Sequence, residues 1–181
     1  MTKFRYCSDL RATNNGTHPD PYRSPPMEEL IAKASGKKYL GCRDMASGFH
    51  QIPVDPASRK WTGFWEGNRL MQWTRMCFGA RNASAKFQRV MDKIILKYNL
   101  ATFCAVYVDD VLIFSDTAEQ HLEHIQLVLK AVHAEGMRVH PEKSLFFASV
   151  IEFLGVSVNS EGTKVSEAKC AAIQALPTPR N

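Results

Sequence analysis

The stretch that most constrains this chain is Phe103–Phe114, FCAVYVDDVLIF, in which two adjacent carboxylates, Asp109 and Asp110, lie between runs of β-branched and aromatic residues. Such runs read as strands, with the acidic pair at the tight connection or its edge. Two like charges at a buried sheet edge are costly unless a cation offsets them. A divalent metal is the simplest answer, and a third carboxylate would complete an oxygen-rich site that suits magnesium. Asp44 is the best candidate for it: it ends a strand-like run, and an irregular loop containing Gly48 follows. From the residues alone the alternatives stay open. An Asp-Asp pair is also a common solvated turn, and Asp44 would equally serve as a cap for the turn at Met45–Gly48.

The rest of the chain arranges itself around that hairpin. Phe4–Leu10 reads as a strand and Asn14–Pro26, punctuated by Asn-Gly and several prolines, as a loop. Ser24 caps an expected helix with Pro25 and Pro26 in its first turn, running to about Ala34. Lys38–Cys42 is a strand leading to Asp44, and His50–Val54 resumes an extended course. Lys60–Trp65 and Leu70–Thr74 form a hairpin around Glu66–Arg69. Asn82–Lys97 is a helix with Phe87, Met91, Ile94 and Ile95 on one face. A second helix follows Thr117, whose spacing to Gln120 is that of a capping box. Leu145–Phe147 and Ile151–Val158 are strands, and a short last helix spans Ser166 to before Pro177.

This order predicts an α+β fold: an antiparallel sheet with helices on one face. A doubly wound parallel sheet fits less well, because hairpins leave few crossovers, and no glycine-rich nucleotide fingerprint follows a strand. The 181 residues suit one core. Charge is uneven: residues 1–100 carry 17 Lys/Arg against 8 Asp/Glu, and residues 101–181 carry 6 against 10. A basic first half points to a polyanionic partner. Five scattered cysteines without CxxC pairing point to free thiols in a reducing compartment. No apolar run approaches membrane-spanning length and no signal peptide opens the chain, so no membrane partner is expected.

From Phe4 to Ile173 the sequence resembles the reverse transcriptase domain of long-terminal-repeat retrotransposons and retroviruses. YVDDVLIFS (Tyr107–Ser115) looks like its tyrosine-x-Asp-Asp box and RDMASGFHQIPV (Arg43–Val54) like its first catalytic-Asp box. MCFGARNASAKFQRVMD (Met76–Asp92) is similar to its nucleotide and template segment, while HPEKSLFF (His140–Phe147) and FLGVSVNSEG (Phe153–Gly162) are similar to its closing palm segments. Five boxes in order are specific where one would be weak. The resemblance implies a polymerase palm-like fold with partial fingers: a single partial domain, with fingers over about 1–43 and 52–80 and palm over about 44–51 and 81–176.

It also implies template-directed DNA polymerisation from dNTPs on an RNA or DNA template with a primer. Asp44, Asp109 and Asp110 would hold two Mg²⁺ ions, with Mn²⁺ as a substitute. Phe49 would stand under the sugar of the incoming nucleotide and exclude a 2′-hydroxyl. Arg5, and more weakly Lys3, would meet the triphosphate. Gln51 would buttress the nucleotide pocket, and Phe78 and Gly79 would line it. Asn82 would cap the following helix or hold the template strand, Gln88 would face the template or solvent, and the resemblance places Tyr107, Phe153, Leu154 and Gly155 toward the primer end. Lys143 would reach a phosphate nearby. Asp9 and Arg11 match the family's D-x-R pattern and read as support for the fingers.

Three departures stand out: Cys77 and Ser84 occupy usual proline positions, and Ala12-Thr13-Asn14 stands where a leucine usually follows the arginine. The family also has more fingers sequence before Phe4, and a thumb, connection and RNase H domain beyond this chain's end. The chain therefore reads as a fragment of a retroelement polyprotein, in a cytoplasmic particle or the nucleus. The alternatives are a non-catalytic relic that folds or binds nucleic acid weakly, and a palm enzyme acting on free nucleotides.

Overall fold

The computed structural model describes residues 7–165 and 167–175. Its centre is a four-stranded antiparallel sheet in the order β4-β5-β1-β6, with β1 Tyr39–Asp44, β4 Cys104–Tyr107, β5 Asp110–Ser115 and β6 Leu145–Ala148. Strand periodicity divides the side chains cleanly between the faces. Cys104, Val106, Val111 and Ile113 point to a core built with α3 (Ala83–Lys97) and α4 (Ala118–Ala134), through Phe87, Met91, Ile94, Ile125, Val128 and Val132. Leu40, Ala105, Leu112 and Phe114 point the other way. They meet Leu30 and Ala34 of α2 (Met27–Ala34) and Ile151, Phe153 and Val158 of a second sheet. That sheet runs β7 Val150–Phe153, β8 Val156–Asn159 and β9 Gly162–Val165, all antiparallel.

The α+β fold with an antiparallel sheet is thus as the pattern predicts. The two long helices share one face, while α2 and the small sheet close the other. β4 and β5 have no solvated face, which is why they read as near-continuous apolar runs. Local differences have local causes. Arg11–Gly16 forms a short helix, α1, where the turn residues suggested only loop. α2 begins after both prolines with Pro26 at its cap position, so Ser24 caps nothing. His50–Val54 is not extended throughout, because a 3-10 turn covers Gly48–Gln51. A longer 3-10 segment, Pro56–Thr62, is capped by the Asp55 carboxylate accepting from the Ala57 N–H. It shortens the first hairpin to β2 Phe64–Glu66 and β3 Arg69–Met71. Ile151–Val158 is two strands around Leu154 and Gly155, both at positive φ. The last helix, α5, covers Glu167–Gln174. Among the described residues no helix is long and apolar enough to cross a membrane.

Candidate active site: a carboxylate end of the central sheet

The three residues that bear the singled-out carboxylates lie at one end of the sheet. Asp44 ends β1, Asp110 begins β5, and the register sets them directly opposite each other. Opposed residues of an antiparallel pair have Cα atoms about 4.5–5.5 Å apart, with side chains on the same face. Asp109 belongs to the same junction, since its carbonyl accepts from the Met45 N–H at 3.1 Å. The other side of the β1 end is pinned by the His140 N–H, which donates to the Asp44 carbonyl at 2.7 Å.

The loop after Asp44 closes on Asp109. Ser47 is left-handed, and Gly48 then opens the 3-10 turn with no room for a side chain. A Cβ at Gly48 would overlap Asp109 Oδ1 and stand 3.0 Å from the tip of the Phe87 ring. Glycine is therefore required here by close approach of backbone to carboxylate. Phe49 follows, half-buried, its ring 5.6 Å from Phe78 and 5.8 Å from Phe87, in tilted and edge-on contacts. Gln51 bridges two loops: Nε2 donates to the Ala46 and Arg138 carbonyls, and Oε1 accepts from the Arg138 N–H. Its amide thus ties the loop after Asp44 to the Arg138 segment through backbone partners.

Electrostatically the site has an excess of negative charge. Burial, and then the neighbouring Asp44, push the Asp110 carboxyl above its ordinary value, and Lys143 works against them. Lys143 Nζ stands 2.7 Å from Asp44 Oδ2. Among the described residues no three His, Cys, Asp or Glu side chains are grouped closely enough, as they stand, to enclose a metal. The donor set nevertheless fits a hard divalent ion. It is all oxygen, two carboxylate-bearing residues oppose each other across a strand pair, and the lack of a side chain at Gly48 makes room for the Oδ1 of the third. Magnesium needs few protein ligands, because it retains waters and takes phosphate oxygens from the substrate.

Other expected site residues fall differently. The template contact expected of Gln88 is not available: the side chain is fully buried and bonded to Val106, Val108 and Asp92. Asn82 neither caps α3 with its side chain nor points it outward; Oδ1 accepts from the Asp20 N–H and Nδ2 donates to the His18 carbonyl. Phe153 is in the core, and the Leu154–Gly155 turn beside it, at positive φ, lies against the Lys169 side chain. Tyr107 pairs with Asp110 across the hairpin. Gly79 offers its carbonyl to Asn14 Nδ2 at 2.8 Å. Asp9 and Arg11 form a forked, solvent-exposed ion pair with each other. Lys3 and Arg5 lie outside the described residues. Sequence reading missed the Lys143–Asp44 pair and the burial of Gln88.

Comparison with known proteins agrees with the geometry. Residues 1–158 match the family described as "Reverse transcriptase (RNA-dependent DNA polymerase)". The chain is 39% identical over 175 residues to the retrovirus-related Pol polyprotein from transposon gypsy of Drosophila melanogaster, covering 97% of this chain and 17% of that protein. It is 35% identical over 161 residues to the enzymatic polyprotein of Cauliflower mosaic virus (strain D/H), covering 89% and 23%. Among solved structures, the foamy viral protease-reverse transcriptase in complex with double-stranded DNA superposes with a TM-score of 0.90 at 26% identity, over 98% of this chain and 31% of that one. The same enzyme with an RNA/DNA hybrid gives 0.84 at 26% identity, over 95% and 23%. The chain thus spans about a fifth of the length of these curated relatives.

Proposed function

Since the chain belongs to the reverse transcriptase family, we propose that it carries the nucleotidyl-transfer centre of a template-directed DNA polymerase. The substrates are a dNTP and a primer annealed to an RNA or DNA template. The 3′-oxygen of the primer bonds to the α-phosphorus, the bond from that phosphorus to the bridging oxygen breaks, and pyrophosphate leaves. The observation that carries this reading is the register that opposes Asp44 to Asp110, with Asp109 bonded through its backbone to the start of the next loop. Asp44, Asp109 and Asp110 would hold two Mg²⁺ ions, or Mn²⁺ in their place, which when bound ease deprotonation of the 3′-hydroxyl and neutralise the triphosphate.

The chain's own residues supply positioning, which dominates in-line phosphoryl transfer. Lys143 is a partly exposed cation beside Asp44 that can turn to a phosphate oxygen when substrate arrives. Phe49 is stiffened by Phe78 and Phe87, so its ring edge can exclude a 2′-hydroxyl. Gln51 holds the pocket wall, and Phe78 and Gly79 line the nucleotide side. Arg5 and Lys3 serve the triphosphate, and Tyr107 with the Leu154–Gly155 turn serves the primer end. The division into fingers and palm, the thumb, connection and RNase H partners in a longer polyprotein, and a cytoplasmic or nuclear setting belong to this same proposal.

A folded but inactive relic is the second reading, favoured by one observation: a fully buried guanidinium, Arg43, stands next to Asp44 without a carboxylate partner among the described residues. Primer extension by a full-length polyprotein containing this chain decides between them. The proposal expects extension that falls at least about a hundredfold in Asp109→Asn. Extension unchanged by that substitution would remove it.

A further inference from the structure

The turn that delivers Asp109 is built on an unfavourable residue. Val108 has φ 51°, a left-handed conformation that a β-branched side chain resists. It sits where the β4–β5 ladder ends, so its N–H has no partner in the sheet; the last paired residues are Tyr107 and Asp110. Something outside the sheet must hold it.

That group is Gln88. Its Oε1 accepts from the Val108 N–H at 2.7 Å, and its Nε2 donates to the Val106 carbonyl at 3.1 Å. The same nitrogen donates to Asp92 Oδ1 at 2.9 Å, one turn further along α3. The amide sense is fixed, because both Nε2 partners are pure acceptors and the Oε1 partner is a pure donor. A flipped amide would face oxygen to oxygen and nitrogen to N–H.

Asp92 is held in turn. Its Oδ2 accepts from the Tyr22 hydroxyl at 2.5 Å. This bond, foremost, pushes the Tyr22 phenol up to about 12. Tyr22 belongs to a strap tied onto α3. The Arg89 guanidinium lies 4.7 Å over its ring and pairs with Asp20 at 2.5 Å, while Asp20 caps the Tyr22 N–H. A continuous relay therefore runs from the half-buried strap through Asp92 and the fully buried Gln88 to the residue before Asp109.

We propose that Gln88 is a positioning residue for Asp109, oriented by Asp92 and, through Asp92, by Tyr22. It clamps both ends of the Val106–Val108 segment and so aims the Asp109 carboxylate at the Gly48 backbone, where the loop after Asp44 passes. This rests on the polymerase reading only for the purpose Asp109 serves; the clamp itself can be tested without catalysis.

The experiment uses the 181-residue chain with Mn²⁺ as probe, in wild type, Gln88→Met and Tyr22→Phe. Amide exchange is read at Val108, Asp109 and the strand positions Ala105 and Leu112, and Mn²⁺ affinity is read by the paramagnetic resonance of the free ion. Gln88→Met should speed exchange at Val108 and Asp109 selectively and weaken Mn²⁺ binding about 10–100-fold. Tyr22→Phe, which removes one oxygen and leaves the core packed, should give the same pattern at smaller size. Exchange rising equally at Ala105 and Leu112, or Mn²⁺ affinity unchanged in both variants, overturns the proposal. A full-length wild-type protein that fails to extend primers would defeat the polymerase reading and leave these two results to decide the clamp.

Discussion

Gln88 and Arg43 are both fully buried polar side chains near the carboxylate end, Gln88 at the end of β4 and Arg43 between β1 and β6. Gln88 has a partner for the oxygen and for the nitrogen of its amide: the Val106–Val108 segment that leads into Asp109, and Asp92 on its own helix. Among the described residues Arg43, next to Asp44, has Nε and Nη2 without partners; Nη1 reaches the carbonyls of Leu145 and Cys42, and the Phe146 ring lies 3.7 Å from the guanidinium carbon. Burial drags its pKa down to about 10. A buried polar group that is fully bonded specifies a conformation, whereas one left short of partners subtracts from stability. The Asp109 side of the site is thus held by design of its hydrogen bonds, and the Asp44 side carries a charge in a place that does not solvate it.

The strongest way to break the satisfied side is Gly48→Ala. The new Cβ must displace the Asp109 carboxylate or the Phe87 ring. Primer extension by the full-length protein should fall by about a hundredfold or more, and overpacking should cost about 1–3 kcal/mol in urea unfolding. Wild-type values on both counts would show that the loop yields freely. The comparison itself is sharpened by matched substitutions to methionine. Gln88→Met should destabilise by about 1–3 kcal/mol, because it strands the Val108 N–H and the Val106 carbonyl. Arg43→Met should stabilise, by up to about 4 kcal/mol, because it removes an uncompensated cation at similar volume. Urea midpoints moving in the same direction would contradict the contrast.

Much of this was legible in the chain. FCAVYVDDVLIF is apolar on both strand faces because both faces are covered, and its Asp pair could only fall at the junction. β1 was found because Asp44 ends a run with the same character. What was not legible is where polar side chains go once helices dock. Gln88 follows Phe87 on α3 and looks like a surface position, yet α3 lies close enough to the end of β4 to draw that residue under the turn. Asn82 reads as a helix cap and is instead claimed by the His18–Asp20 backbone. Arg43 precedes an expected metal ligand and reads as an ordinary charge, since strand periodicity shows which face it takes but not that the face is closed by β6 and α4. α1 was missed because four of its six residues, Thr13, Asn14, Asn15 and Gly16, are poor helix formers, and tertiary contacts, including Asn14 to Gly79 and Arg81, hold it.

Two smaller effects concern the opposed carboxylates. Asp110 has a raised pKa, so its ionised form weakens the fold. The cost is absent below the ordinary aspartate value of 3.8 and grows as pH rises through the raised folded-state value. Asp110→Asn should therefore raise the melting temperature at neutral pH without divalent ions, by about 1–3 °C. The gain should vanish as pH falls; a gain constant with pH would show that ionisation is not its source. Smallest is Lys143→Met. Loss of a largely exposed pair should cost under about 1 kcal/mol, while the Asp110 carboxyl should titrate higher still, as carbon-detected NMR would read. A downward shift would mean that Lys143 does not face this pair.

The central claim is that side chains from two distant segments act as one cation site. Its most direct test is Mn²⁺ added with a dNTP to isotope-labelled chain, followed by paramagnetic broadening of backbone amide signals. Signals from Asp44–Gly48 and from Asp109–Val111 should broaden together at the lowest Mn²⁺ additions, and both sets should be spared in Asp109→Asn. Broadening of one segment without the other, or broadening unaffected by Asp109→Asn, would contradict it.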